Sequence, residues 1–464
     1  MRTGTSTMVR SARRVEFTDI QFEPRNGKVR LVYDIDGLVF NVHGIFHDAP
    51  ELSDRIWEVC LGELGLACLV DVATASMART CLSRAYNPDV KGHEAFTEAT
   101  RALRLELIAD HGLSKRLLSL ACTWGATVSR LGVVPDTDDN RVLLLMGGGK
   151  DSLYAYELLR KCGYDVHCFY LTEARRSWQQ LRRVYAAFRD EVPHHRAFLD
   201  VNRRGIIEHQ FGAGYRSQFQ IGQLLASAMP YALGNKCRYI AMGLERSSDD
   251  PMLCYKGLEV NHQHQKSSSF LAIVNRHLKE RYHGAVQIVS PIHGLYDFGI
   301  YARFLRLKMR IVLLQSSCGG SNFRNPHCGK CEKCAFLAAL FAGLGGDRRI
   351  YKVIYPRDPL SNPDAFQPWL EECAPRPMTC AGHIEEFRLA LYLAKERGWR
   401  SQATRALGDN FGARHIRFLV QHYLKVHPSK LMPQSMQLRV SSVLREEGKR
   451  AEQGVTGVLQ SRIG

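Results

Sequence analysis

Long hydrophobic runs are missing from this chain, and that absence excludes the most. Across 464 residues nothing approaches the ~18 or more uninterrupted apolar residues of a membrane helix. The basic start (Arg2, Arg10, Arg13, Arg14) leads into no apolar signal segment, so we expect a soluble, cytoplasmic protein. A transit peptide is the alternative that an Arg- and Ser-bearing start leaves open. Internal repeats and low-complexity tracts are absent too, which excludes solenoids and gives no sign of disorder. Acidic residues fall short of basic ones, 46 against 63, leaving a formal net charge of +17. That surplus attracts polyanions: nucleic acid, an anionic membrane surface, or a small substrate carrying several phosphates.

Cysteine is not scarce, with 14 in the chain, but most sit singly within apolar runs (Cys60, Cys68, Cys122, Cys237) and read as reduced core thiols. From Val15 to Phe46 apolar and polar residues alternate, and Asn26-Gly27 and Asp36-Gly37 fall where hairpin turns want them. The pattern becomes helical between Leu52 and Leu131. From Arg141 onward strands and helices alternate: a strand at Val142 to Leu145, a helix from Ser152 to Cys162, and a strand at Val166 to Tyr170. Further strands are expected at Tyr239 to Met242, Val286 to Val289 and Ile311 to Leu314, with helices at Ser268 to Glu280 and Tyr296 to Lys308. The sum is an α/β fold with a doubly wound parallel sheet. We expect three regions: 1–135, a β-meander with a helical accessory part; 136–350, the α/β domain; and 351–464, a helical extension behind a Pro-bearing connection.

The run Met146-Gly147-Gly148-Gly149-Lys150-Asp151-Ser152 joins a buried strand to a helix. Consecutive glycines let backbone N–H groups turn toward one point, the helix adds its positive N-terminus, and Lys150 adds a cation. Asp151 can hold a Mg²⁺ carried in by phosphates. A Gly-rich turn without ligand is the bland alternative. The loop is not a Walker A motif, because Asp151 follows Lys150 where that motif has Ser or Thr. It resembles the Ser-Gly-Gly-x-Asp-Ser loop of the PP-loop ATP pyrophosphatases, with Gly147 standing where most of that family has Ser. The resemblance implies that Gly147, Gly148, Gly149, Lys150, Asp151 and Ser152 hold ATP and that pyrophosphate leaves intact.

Near the end of the sheet stand Cys318 and, after nine intervening residues, Cys328, Cys331 and Cys334. Four thiolates so spaced can close a tetrahedron around a structural Zn²⁺, with an iron–sulfur cluster as the alternative. Glycine loop and cysteine cluster together resemble 7-cyano-7-deazaguanine synthase over about the central two hundred residues. A longer likeness runs through Met242-Gly243-Leu244-Glu245-Arg246-Ser247-Ser248, Val260-Asn261-His262-Gln263-His264-Gln265-Lys266-Ser267, Ser290-Pro291-Ile292-His293-Gly294-Leu295, Ser317-Cys318 and Met378-Thr379-Cys380-Ala381-Gly382-His383-Ile384-Glu385-Glu386. These segments look like the UDP-N-acetyl-α-D-muramoyl-L-alanyl-L-glutamate epimerase family. Leu244 stands where Asn is expected there, and His264 where a phenol is usual.

That resemblance implies ATP- and Mg²⁺-dependent inversion of a terminal L-Glu, with AMP and pyrophosphate released. The small-molecule substrate would carry a diphosphate, for which the cluster Arg175, Arg176, Arg182 and Arg183 is available, although a solvated helix face explains it as well. Candidates for base and acid are His262, His264 and Lys266; Glu245 is expected to fix the ribose, the metal or the substrate. Two other classes remain open. One is a PP-loop enzyme modifying a nucleobase or tRNA, which the basic charge favours although no RNA-binding module is recognisable; the other is a non-catalytic ATP-binding protein.

Overall fold

The computed structural model describes residues 11–111, 114–125, 131–173, 175–200, 220–316, 326–371, 381–407 and 413–460. The meander forms as its alternation dictates: β1 (Arg14–Glu23), β2 (Lys28–Ile35) and β3 (Leu38–His47) pair antiparallel. Their turns use the left-handed backbone that the sequence offers, at Gly27 (φ 62°) and at Asp36 and Gly37 (φ 53° and 91°). Two short strands, β4 (Thr80–Ser83) and β5 (Ala121–Trp124), add in parallel beyond β1. Sequence reading had made this stretch all helical; four-residue strands leave too little alternation to see. Helices Asp54–Ala75 and Val90–His111 account for the rest of it.

The α/β part contributes β6 (Asp138–Leu145), β7 (Asp165–Thr172), β8 (His194–Asp200), β9 (Cys237–Ala241) and β12 (Gln287–Val289), all parallel. A separate hairpin, β10 (Leu253–Tyr255) with β11 (Leu258–Val260), stands between β9 and β12 in sequence. The ten strands of the main sheet run in the order β12-β9-β6-β7-β8-β3-β2-β1-β4-β5. The meander is therefore continuous with the parallel strands, because β3 pairs antiparallel with β8, His43 opposite Asp200 and His47 opposite Arg196.

Strand β6 shows why the centre reads as an unbroken apolar run. Val142 and Leu144 enter the core on one face, while Leu143 and Leu145 enter that on the other, and all four are at most 5% exposed. Helices Lys150–Lys161, Asp297–Phe304, Glu332–Gly343, Ile384–Glu396 and Gln434–Gln460 cover the first face. Asp54–Ala75, Gln220–Gly234 and Ser268–Arg281 cover the second. The chain leaves β6 for β7 on one side and reaches β9 on the other, so the winding reverses at β6 and opens a crevice beyond its carboxyl end.

One expected strand is a correction: Ile311 to Leu314 lies in a short helix, Met309–Val312, followed by a turn. Four apolar residues suit a buried helical turn as well as a strand, and here Ile311 and Val312 pack under the helical layer. Among the described residues no helix is long and apolar enough to cross a membrane.

Candidate active site

The glycine loop occupies that crevice. Gly147 has open space where a side chain would project, and Gly148 adopts φ +72°. Gly149 begins helix Lys150–Lys161 with no side-chain cap, so the helix presents its first N–H groups with no side chain of its own across them. The loop is fixed by its backbone: Met146 N–H donates to Phe169 O (2.9 Å), and Ser316 N–H donates to Gly148 O (2.8 Å). Gly243, just beyond β9, lies so close to the helix start that a Cβ there would stand 2.6 Å from the carbonyl carbon of Asp151.

Lys150 turns inward and is 4% exposed. Its ammonium meets Asp151 Oδ1 at 2.5 Å and also the carboxylate of Asp297, the first residue of helix Asp297–Phe304. Burial works against the charged lysine, but Asp151, Asp297 and Glu245 outweigh it and push its pKa upward. Asp151 itself is raised to about 6 by burial, with Glu245 and Asp297 adding to the rise and Lys150 opposing it. Glu386 extends the cluster: its Oε1 accepts from Phe298 N–H (2.7 Å) and its Oε2 from His383 N–H (2.8 Å). Burial, then Asp297, raise Glu386 to about 7. Gly382 leaves room for it, since a Cβ there would stand 2.1 Å from Glu386 Oε2.

Three carboxyl groups thus surround one ammonium, with Glu386 beyond Asp297, and burial followed by neighbouring negative charge makes Asp151 and Glu386 hold protons more tightly. The donor set fits a divalent cation: hard oxygen ligands beside the glycine loop, with Asp151 a quarter exposed. Sequence reading found Lys150, Asp151 and Glu245 but missed Asp297 and Glu386. Glu386 closes one of the segments noted for their family likeness; Asp297, two residues past another such segment, gave no signal of its own.

The segment after β9 carries the site onward. Glu245 is 5% exposed, and Ser248 Oγ donates both to Glu245 O (2.7 Å) and to Lys266 O (3.3 Å). His383 Nε2 pairs with Asp250 Oδ2 at 2.9 Å, and His293 Nε2 with Asp249 Oδ2 at 3.3 Å. Asp249 also accepts from Ser268 N–H at 2.6 Å, holding the start of helix Ser268–Arg281. Although burial works against its charged form, these hydrogen bonds lower Asp249 to about 2.

His262 and His264 face the accessory helix Val90–His111. His262 Nδ1 meets Glu106 Oε1 at 2.5 Å, and His264 Nε2 meets Glu98 Oε1 at 3.1 Å. Lys266 Nζ donates to Gln263 Oε1 at 3.4 Å. His264 lines a cleft of about 440 Å³ with Glu98, Arg101, Asp249 and Ser267. His262 lines a smaller hollow with Glu106 and Asn261. Of the three expected acid–base residues, Lys266 is linked through its backbone carbonyl to Ser248 and so to Glu245, and the glutamate partners of His262 and His264 were invisible in sequence. Of the arginine cluster, Arg183 donates to Leu313 O (3.1 Å). The side chains of Arg175 and Arg176 lie outside the described residues.

Cys328, Cys331 and Cys334 converge, their sulfurs all within 4.8 Å of one another. Cys331 precedes helix Glu332–Gly343 and Cys334 is buried in its first turn. Gly329 (φ +68°) forms the knuckle between Cys328 and Cys331, tight against Arg357 O. Three thiols so placed fit a thiophilic metal; Cys318 lies outside the described residues.

Comparison with known proteins bears out the likeness read from the residues. The family model described as the MurL C-terminal domain matches residues 318–411. A Salinispora tropica protein described as UDP-N-acetyl-alpha-D-muramoyl-L-alanyl-L-glutamate epimerase is 28% identical over 277 residues, covering 57% of this chain and 58% of the relative. A Micromonospora protein of the same description is 27% identical over 287 residues, covering 59% and 62%. The chain thus spans about three fifths of the length of the curated relatives it matches.

Proposed function

We propose that this relative of the UDP-N-acetyl-α-D-muramoyl-L-alanyl-L-glutamate epimerases inverts Cα of the terminal L-Glu of that nucleotide-sugar dipeptide, or of a related peptide, at the expense of ATP. The observation that carries the reading is the open glycine loop at the reversal of the sheet, with buried Lys150 and its carboxylates beside it.

The chemistry explains why ATP is needed. Taking a proton from Cα beside a free carboxylate would build a dianion, which is prohibitively costly. In the proposed sequence a carboxylate oxygen attacks the α-phosphorus of ATP, the bond to pyrophosphate breaks, and an acyl-adenylate forms. Loss of the Cα proton then leaves a single negative charge on the enolate oxygen. Reprotonation on the opposite face inverts the centre, and water cleaves the anhydride to AMP and the D-configured product.

In this scheme the N–H groups of Gly147 to Ser152 and the helix start receive the phosphates, and Lys150 contributes positive charge. Asp151 and Asp297 would hold Mg²⁺, which when bound neutralises phosphate charge. Proton transfer falls to His262, His264 or Lys266. Cys328, Cys331 and Cys334, with Cys318, would hold a structural Zn²⁺ that ties the segment after Ser316 to helix Glu332–Gly343. The protein would act in the cytoplasm, where its nucleotide substrates are.

The test is incubation with ATP, Mg²⁺ and UDP-N-acetylmuramoyl-L-Ala-L-Glu in D₂O, following pyrophosphate, deuterium at Cα and D-Glu. All three products are expected. Pyrophosphate without deuterium would point to another acceptor, such as a nucleobase; neither would leave a binding protein.

A further inference from the structure

Strands β4 and β5 place two cysteines side by side. Cys81 pairs in register with Cys122 on the neighbouring parallel strand, and both are free thiols. Neighbouring strands stand about 4.8 Å apart, inside the ~4.4–6.8 Å of Cα separation that a disulfide spans. Cys81 is 2% exposed, whereas Cys122, on the outermost strand of the sheet, is half-buried. Trp124, two residues after Cys122 and so on the same face, packs edge-on against Phe96 of helix Val90–His111.

That helix also buries Arg104 near both thiols. Its Nη1 donates to Leu117 O (3.3 Å) and Ser119 O (2.9 Å), and its Nη2 to Ala73 O (2.9 Å) and Ala78 O (2.6 Å). Nε is buried with no hydrogen-bond partner, and the groups whose charge acts on this guanidinium are Cys81 and Cys122 rather than a carboxylate. A buried cation held by neutral carbonyls is completed by an anion, and a thiolate is the anion at hand. The other buried cysteines behave differently: burial pushes Cys60, Cys168 and Cys237 up to about 12. Cys122 goes the other way, because the hydrogen bond from Cys81 holds it below its ordinary value and Arg104 adds to that, while burial opposes both. Cys81, which supplies that hydrogen bond and is buried, is pushed up. Cys122 Sγ stands 3.8 Å from Leu120 O, a contact too long for a weak donor to hold its proton firmly.

We propose that Cys81 and Cys122 form a dithiol that reacts with hydroperoxides, Cys122 attacking first and Cys81 closing a disulfide between β4 and β5. The Cys122 sulfur attacks one peroxide oxygen and the O–O bond breaks. Its electron pair leaves on the other oxygen, which takes a proton and departs as an alcohol or, from hydrogen peroxide, as water. Cys122 is left as a sulfenic acid. The Cys81 sulfur then attacks the Cys122 sulfur, the S–S bond forms, the S–O bond breaks, and hydroxide leaves with the Cys81 proton as water. Two thiols lose two electrons and one O–O bond gains them. The ring so closed contains helix Val90–His111, whose Glu98 and Glu106 meet His264 and His262. This chemistry is independent of whether the chain epimerises a glutamate.

The test exposes the full chain to limiting hydrogen peroxide, blocks the remaining thiols and maps peptides by mass spectrometry. Cys122 is expected to lose its thiol at least ~10-fold faster than Cys254, although Cys254 is the more exposed. A linked Cys81–Cys122 peptide should form and disappear with dithiothreitol. In concentrated urea the preference for Cys122 should vanish, since the fold creates it. Alkylation of Cys122 by iodoacetamide should rise with pH through a midpoint below the ordinary 9.0. Cys81→Ser should stop at a sulfenic acid on Cys122 that dimedone traps, and Cys122→Ser should leave Cys81 unoxidised. Read on wild type alone, Cys254 reacting first, no linked peptide, a preference that survives urea, or an alkylation midpoint at or above 9.0 overturns the assignment.

Discussion

Lys150 and Asp297 meet inside the protein with their side chains only 4% and 3% exposed, joining the start of one helix to the start of another across the sheet's crevice. Removing one partner of a buried pair leaves the other's charge uncompensated, at a cost of several kcal/mol. Asp151 and Glu245 remain beside Lys150, so Asp297→Asn is expected to cost ~1–3 kcal/mol in denaturant unfolding and to slow pyrophosphate release at least ~10-fold. A variant matching wild type in both would show that the pair is incidental.

Asp151 stands beside the loop, paired with Lys150 and a quarter exposed. Asp151→Ala is expected to abolish pyrophosphate formation while the circular dichroism spectrum stays native. Turnover at the wild-type rate would remove Asp151 from the chemistry.

Gly243 tests the packing that sets the loop. A Cβ there meets backbone atoms of Asp151 and Ser152 at 2.6 to 2.8 Å, and backbone cannot rotate aside. Gly243→Ala should displace the helix start, weaken nucleotide affinity by ~10-fold or more, and destabilise the fold by ~1–3 kcal/mol. Unaltered affinity in nucleotide titration would show that the contact relaxes without consequence.

The three clustered thiols predict a structural role. Cys331→Ser should lower both the melting temperature and the bound metal measured by mass spectrometry, and any activity that survives at low temperature should keep its substrate profile. Zinc is expected in the metal analysis; a visible charge-transfer band with stoichiometric iron would favour a cluster instead. Unchanged melting and metal content would contradict the site.

Glu386 predicts a pH effect. Its folded-state pKa of about 7 lies above the ordinary 4.5, raised by burial and then by Asp297. A carboxyl raised in this way favours folding in its protonated form. The contribution is full below about 4.5 and is lost as pH rises through about 7. Glu386→Gln cannot ionise, so the stability of wild type relative to the variant should fall between pH 5 and pH 8. A rise over that window, measured by urea midpoints, would refute the assignment.

Much of this was legible locally. The run Val142 to Leu145 and the three glycines after it announce strand, turn and helix through short-range constraints on backbone angle and burial. The spacing of Cys328, Cys331 and Cys334 likewise needs no tertiary information. The partners of these residues were not legible. Glu98 and Glu106 look like ordinary charged positions of a surface helix until the fold brings His264 and His262 against them. Asp297 becomes visible only when its helix start meets Lys150, and Glu386 only when its own helix start meets that of Asp297. Ile311 to Leu314 misled because a short apolar run carries no period long enough to separate strand from helix.

The pairing of β3 with β8 bears on how the protein can be dissected. Severing the chain ahead of β6 would strip β8 of its neighbour and bare the backbone donors and acceptors from Arg196 to Asp200, with Phe198 and Leu199 among them. An unpaired strand of that kind recruits other chains. Any excised catalytic fragment should therefore carry the opening hairpins with it, or it will precipitate whatever the integrity of its nucleotide loop.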